Sequence, residues 1–569
     1  MTTPPRSLSR ATWLALVCIA ISVNAATPDI AINVDGFADW MSSRAYIDAS
    51  AMFRRWGRPG AGWEEHPAMR LTPDNYPLVD ADAVSLLRGY PAGVYKLRYE
   101  GTATIDFGGF GSVVPDSMKK ENGVTTADVR IAPHQGEDIV TLQVRGLAPA
   151  DPLRNLQLLV PGYADAKQVF TDEFIRRVRP FHVIRFMDWQ QTNNNPVKEW
   201  AERPKTTAFG RTNPKGVPIE DIVALANATG RDAWVNIPHL ASDDYVKQFA
   251  TFMRDHLHKD AILHVEYGNE LWNYQFVHAR DILAAARANA FLTRPDDFMR
   301  CAQQAADKLG HFARIFKDVY GDAEFNQRVR PVVGGFIANF YWAQMQLDWL
   351  KDRHPGLVKE LAIAPYFGVE GNVPEIDKPG VTADVAFAKL NAFIDGQLTK
   401  YIADHATLAN HYGVALVSYE GGQHLTATNG VNEELKRQMQ YDRRMGQTLR
   451  HLIDTWQKNG GGLFTQYGHI GPYSKFGYWG LLESMEQPGS VKWDTYMSLL
   501  LPPGDANLDG KVDFTDFQIL QNHWGQENQW WEQGDFNGDG KVDAADLKLL
   551  TPGLKDLTPQ QKAELEKMH

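Results

Sequence analysis

Eight short apolar runs of β character recur along this chain with helical periodicity between most of them, and that alternation limits the fold more than any other feature. The runs centre near residues 32, 185, 235, 265, 332, 363, 417 and 465. Near-continuous apolar runs of this length suit strands buried on both faces of a parallel sheet. Eight strand–helix units in succession predict an α/β chain whose main body, residues 28–498, is a (β/α)8 barrel of the TIM type. One interval breaks the rhythm. Between about residues 70 and 160, runs such as 94–101, 102–107 and 139–144 alternate apolar and polar residues between Gly, Asp and Asn turns. That pattern predicts an antiparallel β module inserted after the first strand, with bracing as its expected role.

Two of the runs end in a carboxylate. The fourth reads Ile262-Leu263-His264-Val265-Glu266-Tyr267-Gly268-Asn269-Glu270-Leu271-Trp272-Asn273, and the seventh, Ala415 to Gly422, ends on Tyr419-Glu420. A Glu at one strand end is ordinarily a solvated loop residue. Two on separate strands of one parallel barrel converge at the same mouth, so the pair carries the signal. Arg185 sits inside the apolar second run, where a buried carboxylate partner is expected, and Tyr366 ends the sixth. The aromatics Trp189, Trp272, Tyr341, Trp342, Tyr467, Tyr473 and Trp479 fall at or beyond strand ends, where such rings either fill the core or face a ligand. His239 and His264 lack a companion set of spaced ligands, so no catalytic metal is expected. Cys301 shares a helical stripe with Phe298, Ala305, Leu309 and Phe312, which reads as a buried structural thiol.

Residues 1–25 read as a secretory signal: Arg6 and Arg10 precede the apolar stretch Trp13 to Val23, and Val23-Asn24-Ala25 supplies small residues for cleavage. A secreted protein without a membrane span is therefore expected. The net charge of −11 argues against a nucleic-acid partner. At the other end, Asp505, Asn507, Asp509, Asp513 and Asp516 occupy positions 1, 3, 5, 9 and 12 of a loop. Gly510 stands at the sharp turn, and Lys511 offers its backbone carbonyl at position 7. The pattern repeats 30 residues later as Asp535, Asn537, Asp539, Gly540, Lys541, Asp543 and Asp546. Two copies at one spacing predict two Ca2+ sites. Each loop precedes an apolar-periodic helix, but Leu501-Pro502-Pro503-Gly504 forbids one before the first loop. The unit is thus a loop–helix half of an EF-hand used twice over residues 503–553, followed by a polar tail at 554–569.

This C-terminal unit resembles a type I dockerin, which implies a cohesin-like partner protein. Phe514-Thr515 and Ala544-Ala545 depart from the Ser/Thr pairs often found at that contact. The barrel resembles clan A of the retaining glycoside hydrolases, in which an Asn-Glu pair ends strand four and a Glu ends strand seven. That resemblance implies hydrolysis of β-glycosidic bonds in a polysaccharide without a catalytic cofactor. It makes Glu270 the acid/base and Glu420 the nucleophile. It also implies that Asn269 binds the sugar 2-hydroxyl, that Tyr366 donates to Glu420 and that Arg185 steadies it. Trp272 and Trp479 are the candidate sugar-stacking rings. The alternative is a catalytically silent carbohydrate-binding barrel, which would have no reason to keep both glutamates.

Overall fold

A computed structural model describes residues 27–60, 69–134 and 138–568; residues 1–25, read as a secretory signal in the sequence, lie outside them. Eight parallel strands, Ile30–Asn33, Val183–Arg185, Asp232–Ile237, Leu263–Tyr267, Val329–Gly334, Glu360–Ile363, Ala415–Ser418 and Phe464–Gln466, pair in sequence order, and the first also pairs with the last. The seventh and eighth meet through Gly462 N–H donating to Leu416 O and Ser418 N–H donating to Leu463 O, both at 2.8 Å, which closes the barrel. These are the eight runs read in the sequence, and the fold is the expected one. Alternation along each strand divides the side chains between two cores. Ala31, Val183, Trp234, Val332, Ala362, Val417 and Leu463 fill the barrel interior. Leu263 and Val265 face outward into the larger core with the helices.

The inserted module comprises two antiparallel sheets. Ala81–Ser85, Val140–Arg145 and Thr104–Gly109 form one. The other has Val124–Ile131 and Gly93–Glu100 at its centre and Arg154–Leu159 at one edge. One local expectation needs correction. The apolar positions Leu435, Met439, Leu449, Leu452 and Trp456 fit one helix in the sequence but fall on two, Glu433–Gln438, with Met439 as its C-cap, and Arg443–Lys458. The break falls where the Asp442 carboxylate accepts the Arg444 N–H and starts the second helix. The polar tail is also ordered in part, as the helix Pro559–Glu566, whose start is fixed by a reciprocal cap between Thr558 and Gln561.

The helix Val491–Leu500 runs directly into the C-terminal unit, whose helices are Phe514–Asn522 and Ala544–Leu550. The unit rests on the barrel wall. Glu532 pairs with Arg176 at 2.7 Å and Arg177 at 3.1 Å, and the Trp531 N–H donates to Asp494. Trp530 lies over Gly489, where a Cβ would meet it at 2.4 Å, and Arg443 donates to the Gly538 carbonyl. No described helix is long and apolar enough to cross a membrane.

Candidate active site

The chain leaves strand four through a sharp turn. Gly268 has φ +64° and Glu270 φ +43°, a conformation that a residue with a Cβ rarely adopts. Holding Glu270 there costs on the order of 1–3 kcal/mol, and such strain gathers at functional positions. The turn brings the Glu270 carboxyl to Tyr419, whose hydroxyl donates at 3.3 Å, and to Asn273, whose amide donates at 3.1 Å. His278 braces the turn from behind, with one ring nitrogen on the Asn269 carbonyl and the other 2.5 Å from the Asn193 carbonyl. Asn269 is anchored as well: its Oδ1 accepts from Arg185 at 2.9 Å and its Nδ2 donates to Asn193 at 3.0 Å. One amide N–H of Asn269 is left over.

Glu420 is held differently. Its Oε1 accepts from Arg185 at 2.8 Å and its Oε2 from the Tyr366 hydroxyl at 2.9 Å. A two-residue parallel ladder, Tyr366–Phe367 on Gly422–Gln423, extends strands six and seven at the mouth and fixes donor to acceptor. Glycine is needed beyond Glu420 because strand eight lies so close. A Cβ on Gly421 would meet the Phe464 ring at 2.8 Å, and Gly422, at φ +114°, would meet Gln466 Oε1 at 2.6 Å.

Arg185 joins the two strand ends. It is fully buried and donates to Glu420, Asn33, Glu266 and Asn269 within 3.1 Å, with the Tyr419 and Trp234 rings 5.3 and 5.5 Å away. Glu266 also takes the Trp234 indole N–H at 3.0 Å and the Asn236 amide at 2.9 Å. Glu266, Asn236, Asn33 and Tyr419 escaped the sequence reading. Polar residues at inward positions of otherwise apolar strands were the available signal for the first three. Of the aromatics, Trp189 and Trp342 are core, and Tyr341 is 63% exposed. Trp272 is half-buried, stacked on Phe336 at 5.3 Å and 6.1 Å from Tyr419. Trp479 is half-buried 5.6 Å from Tyr467, and Tyr473 donates to the Gly480 carbonyl. His264 pairs with Glu360 and His239 with Asp281, each at 2.8 Å, and Cys301 is buried.

Burial dominates the electrostatics. It pushes Glu420 up to about 8 against the pull of Arg185, and raises Glu270 against its bonds from Asn273 and Tyr419. A second pair of acids lies alongside. Asp188, just past strand two, is raised to about 7 by burial and by Asp35. Asp35, just past strand one, is raised by burial to about 6 although it accepts the His469 and Ile470 N–H groups, both at 2.8 Å. The charge of Asp188 is the leading reason that the Tyr467 hydroxyl is held well above its usual range.

The two C-terminal loops share one hydrogen-bond network. Asp505 accepts the N–H groups of Asp509 and Gly510, and Asp516 those of Ala506, Asn507 and Asp513. Asp535 and Asp546 repeat it with Asp539, Gly540, Phe536, Asn537 and Asp543. Gly510 and Gly540 make the turns at φ +86° and +84°. All four carboxylates are buried, and burial raises Asp505 to about 7 and Asp535 to about 6, with neighbouring acids adding to the push. The oxygen-only donor set fits a hard divalent cation. Among the described residues no three His, Cys, Asp or Glu groups converge as a metal site.

The family model described as Dockerin type I domain matches residues 503–555. No curated protein matches the chain. Similar solved structures include a GH51 arabinofuranosidase from Xanthomonas axonopodis pv. citri, at 13% identity over 57% of this chain and 65% of that one, TM-score 0.38. A GH5 lichenase from Caldicellulosiruptor sp. F32 aligns at 12% identity over 58% and 83%, TM-score 0.33. A modular endo-β-1,4-mannanase from Cellulomonas fimi aligns at 11% over 56% and 62%, TM-score 0.31. The chain thus spans less than two thirds of the arabinofuranosidase and of the mannanase. The family match and the duplicated loop network identify residues 503–555 as a type I dockerin domain, carried behind a closed eight-stranded parallel barrel.

Proposed function

We propose that the barrel is a secreted, retaining glycoside hydrolase acting on β-glycosidic bonds of a polysaccharide, with Glu420 as nucleophile and Glu270 as acid/base. The observation that carries this reading is the unequal support of two glutamates at one mouth. Arg185 and Tyr366 both donate to Glu420, whereas among the described residues Glu270 has Tyr419 and Asn273. Two close, buried carboxyls titrate as a pair and share one proton over a wide pH range. The stronger donors favour the charged form at Glu420, which places the proton on Glu270. In the first step Glu420 attacks the anomeric carbon while Glu270 protonates the departing oxygen. In the second, Glu270 takes a proton from water, which displaces Glu420 and restores the original configuration. Retention calls for carboxyl groups about 5–5.5 Å apart. The spare N–H of Asn269 suits the sugar 2-hydroxyl, and Trp272 and Trp479 offer ring faces to the chain.

In the dockerin, Asp505, Asn507, Asp509, Asp513 and Asp516, with the Lys511 carbonyl, would hold one Ca2+. Asp535, Asn537, Asp539, Asp543 and Asp546, with the Lys541 carbonyl, would hold the second. A bound cation ties the start of each loop to the first turn of its helix. The domain then attaches the enzyme to a cohesin-like partner. The test is reducing-end release from a panel of polysaccharides by wild type, Glu270→Ala and Glu420→Ala. Activity in wild type that both substitutions abolish or cripple supports the reading. No release by wild type from any polysaccharide leaves a carbohydrate-binding barrel as the better account, and equal release by all three moves the hydrolase site away from this pair.

A further inference from the structure

The mouth of the barrel carries a second feature that the paired glutamates do not use. The loops leaving strands one and two border two adjoining hollows that share Arg54, Arg55 and Thr212. Both loops start at the C-terminal ends of their strands, so the hollows open on the same side as Glu270 and Glu420. The first loop is also tied to the loop that leaves strand eight. Asp35, at the start of the first loop, holds the backbone of His469 and Ile470, two residues beyond Tyr467, which lies 6.2 Å from Tyr366. Five residues further on, Trp40 is 48% exposed, and the Arg54 guanidinium sits 5.7 Å from its ring centre.

The lining is cationic. Arg54, Arg55, Arg203, Lys205 and Lys215 contribute to it on a chain whose net charge is −11. Three of these are already held: Arg54 by Asp39 at 2.7 Å, Arg203 by Glu220 at 2.9 Å, and Lys215 by the Glu202 carbonyl at 3.0 Å. The lining also carries two carboxylates. The Glu202 carboxylate accepts the Lys198 and Glu199 N–H groups, and Asp74 accepts the Thr207 hydroxyl. Arg55 and Lys205 differ: both are exposed, and no hydrogen bond or ion pair holds either side chain among the described residues. An exposed cation beside an exposed indole, with a second cation in the adjoining hollow, matches a chain of sugar rings that bear acidic groups. One ring stacks on the indole, and the anions meet a guanidinium fork or an ammonium. Five cations against the Asp74 and Glu202 carboxylates leave the described lining net positive, which draws an anion into the groove.

We propose that this groove is a distal subsite for an anionic glycan, a polysaccharide carrying carboxylate or sulfate groups, with Trp40 as platform and Arg55 and Lys205 as the anion-binding residues. The assignment of the groove to the substrate rests on the glycoside hydrolase reading; its affinity for polyanions does not. The test is affinity electrophoresis of the full chain carrying Glu270→Ala, which prevents turnover. The gels contain polygalacturonate, chondroitin sulfate, β-1,4-galactan or lichenan. A chain of net charge −11 has no general attraction to polyanions, so retardation by an acidic polymer reports a local site. The expected result is retardation by at least one acidic polymer that weakens about tenfold or more between about 50 and about 500 mM NaCl. The double substitution Arg55→Glu, Lys205→Glu should weaken it at least about tenfold with the circular dichroism unchanged, and Trp40→Ala severalfold. Retardation by polygalacturonate alone names a uronic acid, and by chondroitin sulfate alone a sulfate ester. Binding to the neutral polymers equally or better, no binding to either acidic polymer, or indifference to charge reversal would overturn the proposal. Salt-sensitive binding in a protein whose wild type hydrolyses nothing would sink the proposed activity and leave the groove standing.

Discussion

Arg185 is the residue on which the site turns. It is fully buried between Glu266 and Glu420, so one guanidinium offsets two carboxylates. Removing one partner of such a cluster leaves uncompensated charge in a poor solvent. Arg185→Met is expected to destabilise the barrel by about 3–5 kcal/mol in urea denaturation, well beyond the effect of Glu266→Gln. A loss no larger than an ordinary surface substitution would show that water reaches these carboxylates. A pH dependence follows from the acids nearby. Asp35 and Asp188 are raised to about 6 and 7, so the folded state keeps protons that the unfolded chain releases near pH 4. Stability from this pair is therefore full below the ordinary carboxylate range and is lost as pH rises through about 6–7. The urea midpoint should fall between about pH 5 and about pH 9, and Asp188→Asn should flatten that fall; an unchanged slope would place its cause elsewhere. Glu270, Glu420 and Tyr366 were legible because each departs from an apolar run at or near its end, and Arg185 because it is a charge inside one. Glu266 stood in the same run as Glu270 but was hidden by it. Asp188 acquires its environment only from Asp35 and Tyr467, which are distant in sequence.

At the scale of elements, the strand order was readable because each strand is buried on both faces and must be apolar throughout. What the sequence hides is the two-residue ladder between Tyr366–Phe367 and Gly422–Gln423, too short to show any periodicity. Its closeness to strand eight makes Gly422 the sensitive position, since any side chain there meets both a positive φ and Gln466. Gly422→Ala is expected to keep the barrel folded and to lower kcat/KM by roughly a hundredfold, the scale of a 1 Å misplacement of a catalytic group. Full activity would mean that the ladder does not position Glu420. The helix break at Asp442 was legible in principle, because an Asp ahead of a new apolar stripe is a cap signal.

For the molecule as a whole, the division into barrel and dockerin was evident from the duplicated loops, whereas their contact was not. Trp531, Glu532 and Arg443 mean nothing in sequence until the fold sets them against Asp494, Arg177 and Gly538. Chelation in the isolated 503–555 fragment is expected to reduce helix content by circular dichroism, and calorimetry should count two Ca2+ per chain; no uptake would contradict the loop reading. Ending the chain after residue 500 should leave kcat on soluble substrates nearly unchanged, because the glutamates lie wholly within the barrel. It should lower the barrel's Tm, because Glu532 is lost from Arg176 and Arg177. A large loss of kcat in a folded truncation would contradict the modular division.

The most direct test of the central claim is the configuration of the product that Glu270→Ala makes from an activated aryl β-glycoside in the presence of azide. The leaving group needs little protonation, so Glu420 still forms the glycosyl-enzyme, and azide replaces the water that Glu270 would have activated. The expected result is a rate that rises with azide and a glycosyl azide of retained β configuration by NMR. An α-azide would exchange the roles of the two glutamates, and normal hydrolysis indifferent to azide would remove Glu270 from the reaction.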